Sequence, residues 1–214
     1  MAAATTATAK TVSQPLQLDG GDDVSQVNGN KRRRVVKPSG KITLTSLTEN
    51  NLGTVKTIIS VVLNQRYPDN LYKEALDSSL EDVNKLIYYN DIPVGTIVCR
   101  IQPKAKGSTD ETLEILALAI LAPYRSLGLG TALLNSAIEA AKTTEVASAA
   151  ATKTTPANAG RKKATKVVAY TQEGNEEAKR FYTERAGFKE VELKQGYYSN
   201  QNPSGAWVLE KPLV

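Results

Sequence analysis

Residues 122–131, Ala-Pro-Tyr-Arg-Ser-Leu-Gly-Leu-Gly-Thr, constrain this chain more than any other stretch. In them Arg125-x-x-Gly128-x-Gly130 separates an apolar run, Leu113 to Leu121, from an amphipathic segment, Gly130 to Lys142. The order reads as a strand, a tight turn and a helix start. Glycines in such a turn let the backbone come close to a ligand, while unpaired N–H groups and the positive end of the helix dipole converge on one point. That is a place to hold a pyrophosphate. A Walker A loop would need Gly-Lys-Ser/Thr, and the dinucleotide fingerprint would need G-x-G-x-x-G; the turn has neither. Taken alone, these residues also describe an ordinary glycine-marked helix start with a solvent-facing arginine.

Composition removes whole classes of chemistry. The 214 residues contain no histidine and one cysteine, Cys99, within the apolar run Val94 to Ile101. A Ser-His-Asp triad, a Cys-His pair, a histidine or cysteine metal site and a disulfide framework are therefore excluded, and no metal is expected. No apolar run approaches the ~20 residues of a membrane helix, and the N-terminus lacks a hydrophobic signal core. The expectation is a soluble, cytoplasmic protein with no membrane contact and possible nuclear entry.

The net charge of +5 is unevenly spread. Residues 1–40 carry six basic side chains, among them Lys31, Arg32, Arg33 and Arg34, against three aspartates. Residues 143–166 carry five, including Arg161, Lys162 and Lys163, against Glu145 alone. The remainder is slightly acidic, so basicity does not mark a folded nucleic-acid domain. Both basic segments are poor in periodic hydrophobicity. Residues 1–40 read as a disordered tail, and 143–166 as a low-complexity insertion within a domain spanning 41–214. The basic clusters read either as solvated charge or as a localisation signal or RNA contact.

Within 41–214 the pattern is mixed α/β. Lys41–Leu47 alternates as a strand, and Thr48 to Asn51 caps a helix ending near Asn64. Tyr67 to Asn70 is a turn before a helix over 71–79. Strands over 84–89 and 94–101 are joined by a hairpin at Asn90 to Pro93. The strand 113–121, the glycine turn and a helix over 130–142 follow. A strand over 166–171 and a helix over 175–186 follow, Gly187-Phe188 opens another strand, and Tyr197-Tyr198 and 206–209 finish the sheet. Helices flanking a central mixed, mostly antiparallel sheet are the expectation.

A second motif widens the reading. Arg125-x-x-Gly128-x-Gly130 after a strand resembles the acetyl-CoA turn of the GNAT N-acetyltransferase superfamily. Asn175-Glu-Glu-Ala178-x-x-Phe181-Tyr182-x-x-x-x-Gly187-Phe188 is similar to that superfamily's second cofactor contact. More narrowly, Tyr88-Tyr-Asn90-Asp91-Ile92-x-Val94-Gly95, Leu121-Ala-Pro-Tyr124-Arg125, Leu127-Gly-x-Gly-Thr131 and Tyr197-Tyr198 resemble the family of NatE catalytic subunits, across residues 41–211 outside the insertion. The resemblance implies a GNAT fold and acetyl-CoA as cosubstrate. It implies Nα-acetylation of nascent polypeptide N-termini starting with Met, with the NatA catalytic and auxiliary subunits and the ribosome as partners.

It also implies roles. Leu118, Ala119 and Ile120 would offer backbone to the cofactor arm and the acetyl oxygen. Arg125, Ser126, Leu127, Gly128, Leu129, Gly130 and Thr131 would hold the pyrophosphate. Asn175 would hydrogen-bond the cofactor, and Tyr182 would lie near its sulfur and protonate the departing thiolate. The plain reading of these last two is an N-cap and a core aromatic. Tyr67, Pro68, Leu116, Tyr197 and Tyr198 would wall the peptide cleft, although the loop after Pro68 is shorter than the family pattern and lacks its further tyrosine. The family's catalytic tyrosine and histidine are replaced by Glu114 and Tyr170. Glu114 is either a desolvated base or a solvent-facing carboxylate; a phenol such as Tyr170, with a reference pKa near 10, is a poor base. Two alternatives stay open: an adaptor with lost turnover, and a lysine or small-amine acetyltransferase.

Overall fold

Short β-branched and apolar runs, each broken by a turn, build one large sheet in this computed structural model. It describes residues 40–63, 67–103, 111–143, 146–147, 161–162, 164–199 and 201–213. The elements are β1 (Ile42–Ser46), α1 (Leu52–Leu63), α2 (Asp69–Ala75), β2 (Lys85–Tyr89), β3 (Ile92–Pro103) and β4 (Glu111–Ile120). They continue with α3 (Leu129–Thr143), β5 (Val146–Ala147), β6 (Arg161–Lys162), β7 (Ala164–Gln172), α4 (Glu176–Arg180), β8 (Lys189–Lys194) and β9 (Ala206–Pro212). The seven-stranded sheet runs β1-β2-β3-β4-β7-β9-β8; among the described residues only β4 and β7 pair in parallel. The mixed, mostly antiparallel sheet flanked by helices is the expected one.

Each face of the sheet buries its own cluster. On one, Leu129, Leu133, Leu134, Ala137, Ile138 and Ala141 of α3 meet Ile97, Leu113, Ile115, Val167 and Ala169. On the other, Val55, Ile58 and Ile59 of α1 and Leu71, Tyr72 and Ala75 of α2 meet Leu86, Val98, Ala117 and Ala119. β4 changes parity in the middle: Leu113 and Ile115 face α3, whereas Ala117 and Ala119 face α1 and α2. A bulge makes the switch. Val98 pairs with Ala117 and Cys99 with Ile115, leaving Leu116 as the extra residue.

Several local expectations need correction. Asn90 and Asp91 both have positive φ, 49° and 65°, which fits a two-residue primed turn; Ile92 and Pro93 therefore open β3 and are not loop. Helix α2 begins at Asp69, inside the expected turn. The helix expected over 175–186 is α-helical only to Arg180, then widens to a π turn over Phe181–Arg185, closed by the Ala186 N–H donating to the Phe181 carbonyl at 3.1 Å. Tyr197 and Tyr198 do not form a strand; they sit in the connection between β8 and β9. The basic tail, residues 1–39, lies outside the described residues, as does most of the insertion. Of the expected insertion, 143–166, Thr143 ends α3, Ala164 to Lys166 open β7, and the other described residues form the short β5–β6 ladder, Val146 opposite Lys162 and Ala147 opposite Arg161.

Candidate active site

The sheet opens at the parallel junction of β4 and β7. β4 and β7 pair from Glu111 opposite Ala164 to Ile115 opposite Ala169, and there the ladder stops. Beyond it β4 stays with β3 as far as Ile120 opposite Gly95, and β7 stays with β9 as far as Gln172 opposite Ala206. The strands fork, and the bulge at Leu116 lies where they part. The fork leaves the β4 backbone with one free edge. Leu121 N–H donates to the Val94 carbonyl at 2.9 Å, so strand alternation turns the N–H and C=O of Leu118 and Ile120 away from β3 and into the gap. The same alternation turns those of Ala119 toward β3. Of the three expected backbone contacts, Leu118 and Ile120 are therefore the two that face the gap.

One mouth of the gap is the glycine turn. Ser126 and Gly128 hold positive φ, 64° and 82°, a conformation that glycine adopts without strain, and this swings the chain from the end of β4 into α3. The first intrahelical bond is Ala132 N–H to the Gly128 carbonyl at 3.0 Å, which leaves the N–H groups of Leu129, Gly130 and Thr131 ahead of it at the helix head. Arg125 bridges the region. Its Nε donates to the Ile120 carbonyl at 3.2 Å, and its guanidinium lies 3.7 Å from Glu177 of α4. A Cβ on Gly130 would sit 3.5 Å from the Phe181 ring and 3.8 Å from Ile120, so the head of α3, the end of β4 and the π turn converge. Asn175 caps α4, its Oδ1 accepting from Ala178 N–H at 3.0 Å. The Tyr182 ring is buried edge-on between Phe181 and Phe188, with centroids 5.2 and 5.1 Å away. Burial, with smaller contributions from Cys99, Tyr198 and Tyr67, pushes its phenol well above the usual range. A phenol in that state donates hydrogen bonds and resists giving up its proton.

The opposite mouth is lined by tyrosines. Tyr67 precedes α2, where Pro68 is the N-cap, and its hydroxyl donates to the Leu116 carbonyl at 3.1 Å. Tyr197 stacks on Tyr170 at 4.7 Å and meets Tyr198 edge-on at 4.9 Å, while the Tyr198 hydroxyl donates to the Tyr170 carbonyl at 3.4 Å. Burial first and neighbouring phenols second push Tyr67 and Tyr198 up to about 12. Tyr197 also reaches about 12, through burial and then the charge of Glu114 beside it. All three stay protonated at neutral pH.

Glu114 sits just below the fork, opposite Val168 of β7, and is 5% exposed. Its solvent-facing alternative is thereby excluded. Nor is it a lone desolvated carboxylate: Arg100, its direct partner on β3, donates Nε–H to Oε2 at 2.8 Å. Sequence reading missed Arg100. It also missed Thr171, on β7 two residues past the last β4 partner, buried with a hydroxyl that makes no hydrogen bond among the described residues.

A forked sheet, a glycine turn at a helix head and a capped helix on the next strand form one assembly, and residues 56–163 match the Acetyltransferase (GNAT) family. The chain belongs to that family. N-alpha-acetyltransferase 50 of Danio rerio is 32% identical over 176 residues, 81% of this GNAT chain and 90% of the relative. The probable N-acetyltransferase san of Drosophila melanogaster is 30% identical over 172 residues, 80% and 81% of the two chains. Among solved structures, Arabidopsis thaliana Naa50 in complex with the bisubstrate analogue CoA-Ac-MVNAL superposes with a TM-score of 0.63 at 30% identity, covering 79% of this chain and 97% of that one.

Proposed function

We propose that this GNAT protein transfers the acetyl group of acetyl-CoA to the α-amine of polypeptide N-termini, with a preference for Met-starting chains. The observation that carries the reading is the fork itself, whose two mouths differ in chemistry. One offers helix-head N–H groups and Arg125, which suit a pyrophosphate; the other offers partly buried phenols, which suit an apolar peptide end. The gap between them supplies the outward-turned N–H and C=O of Leu118 and the N–H of Ile120, whose carbonyl already accepts from Arg125, groups of the kind that grip an extended amide-bearing arm. The residues present therefore fit acetyl-CoA, which supplies the acyl group as a thioester. Support from relatives comes from the name of the Arabidopsis Naa50 ligand, which joins CoA and acetyl to a peptide beginning with Met.

In this reading the turn from Arg125 to Thr131 anchors the pyrophosphate, and Asn175 contributes its side-chain amide beside the cap it already forms. The backbone of Leu118 and Ile120 orients the acyl carbonyl. The peptide amine approaches from the tyrosine side, past Tyr67, Pro68, Leu116, Tyr197 and Tyr198. Its nitrogen forms the amide bond as the carbon–sulfur bond breaks, the proton that the nitrogen loses passes to solvent water, and the leaving thiolate accepts a hydrogen bond from Tyr182 before it takes up a proton from water. With Tyr67, Tyr197 and Tyr198 held protonated, the amine enters neutral largely through its own equilibrium, an α-amino group having a pKa near 7.7 to 8.0. Glu114 and Tyr170 then steer the amine and its water. By the same resemblance the setting is the cytoplasm, with NatA subunits and the ribosome as partners.

One observation favours a second reading, an adaptor that binds acetyl-CoA with little turnover: the position of the family's tyrosine holds Glu114, already ion-paired with Arg100. Calorimetry with acetyl-CoA, followed by acetyl transfer to peptides differing only in their first residue, separates the two. Tight binding with fast transfer to Met-starting peptides supports the enzyme; tight binding without transfer supports the adaptor. Transfer independent of the first residue removes the Met preference.

A further inference from the structure

On β7, Val167 and Ala169 point into the cluster under α3, and strand alternation puts Thr171 on the same face. It lies two residues beyond Ala169, the last residue paired with β4, and so on the β7 bank of the gap. The opposite bank carries the inward-turned backbone of Leu118 and Ile120, and Tyr182 is buried on the same side of the sheet. Thr171 is 4% exposed, and its hydroxyl makes no hydrogen bond among the described residues. Leaving a buried hydroxyl unpaired is costly, and valine would fill the position without that cost while keeping the branched Cβ that strands favour. The hydroxyl is left open to a partner beyond the described residues.

We infer that Thr171 is a contact for the acyl-CoA arm, its hydroxyl donating to one of the arm's carbonyl oxygens across the gap from Leu118 and Ile120. This rests on the acetyl-CoA reading above, and its test separates the two. Calorimetry on wild type, Thr171→Val and Thr171→Ser uses acetyl-CoA and, as a probe without the arm, adenosine 3′,5′-bisphosphate. Thr171→Val should weaken acetyl-CoA about two- to tenfold, the worth of one hydrogen bond, and leave the armless nucleotide unchanged. Thr171→Ser should stay within about twofold of wild type for both. The apo melting temperature of Thr171→Val should hold or rise; a fall would show that the hydroxyl already has a partner in the protein and would overturn the inference. Equal acetyl-CoA affinity in wild type and Thr171→Val, or equal loss for both ligands, would also overturn it while leaving acetyl-CoA binding intact. A folded wild type that binds no acetyl-CoA removes the inference together with the reading beneath it.

Discussion

Removing the two halves of the Arg100–Glu114 pair should have unequal effects. The Glu114 side chain is 7% exposed and that of Arg100 39%, at a separation of 2.8 Å. Arg100→Met leaves a carboxylate in the sheet without its counter-charge, whereas Glu114→Gln leaves a guanidinium that water already reaches. Breaking a fully buried pair costs about 3–5 kcal/mol, and an exposed pair contributes about 0–1. Discounting for the access of solvent to Arg100, Arg100→Met should cost about 1.5–3 kcal/mol and Glu114→Gln about 0.5–1.5. For a domain of this size each kcal/mol moves the melting temperature by roughly 2–4 °C, so the losses should be about 3–12 °C and 1–6 °C. The double variant Arg100→Met/Glu114→Gln should lose less than the sum of the singles, because no charge is then left unpaired. Thermal unfolding of the three apo variants followed by circular dichroism decides this. Two equal single losses under 1 °C, with strict additivity, would mean that the pair is solvated and that its geometry carries no energy.

Gly128→Glu should abolish acetyl-CoA binding, since it places a bulky, negatively charged side chain at φ 82° where the phosphates are to sit; calorimetry reads it, and retained affinity would displace the anion site from the turn. Acetyl-CoA at a hundredfold excess over Kd should stabilise the wild type by about 2.7 kcal/mol, a shift of roughly 5–11 °C. Alkali should unfold the protein early. Tyr67, Tyr197 and Tyr198 are held near 12 when folded against about 10 when unfolded, so the folded chain keeps these protons longer; stability is intact below pH 10 and falls as pH rises toward 12. Phenolate absorbance and circular dichroism recorded together should change together, and ionisation of all the tyrosines at pH 10 in a fully folded protein would contradict the burial argument. Deleting residues 1–38 should leave the melting temperature and acetyl-CoA affinity unchanged, and loss of folded protein would assign the tail to the fold.

Features set by local chemistry were legible in the sequence. The glycine turn, the Asn175 cap and the order of strands and helices follow from periodicity, glycine placement and capping residues within a few positions of one another. What was not legible depends on register. Whether Glu114 meets solvent or an arginine is decided by Arg100 standing opposite it on β3, which in turn depends on where the Leu116 bulge falls. Tyr197-Tyr198 read as strand because aromatics favour strands, yet the chain turns there, with Tyr198 N–H bonded to the Ser204 carbonyl at 2.8 Å. Thr171 looked like any β-branched strand residue; only the end of the β4–β7 ladder makes its unpaired hydroxyl significant.

The most direct test gives the purified full-length protein acetyl-CoA and a Met-starting peptide that has both a free α-amine and an internal lysine, and locates the added acetyl group by tandem mass spectrometry. Transfer to the α-amine alone, with a rate that rises through pH 7 to 9 as that amine loses its proton, is the predicted result. Acetyl on the lysine ε-amine, or no transfer by a folded protein that binds acetyl-CoA, would contradict the proposed N-terminal acetyltransferase.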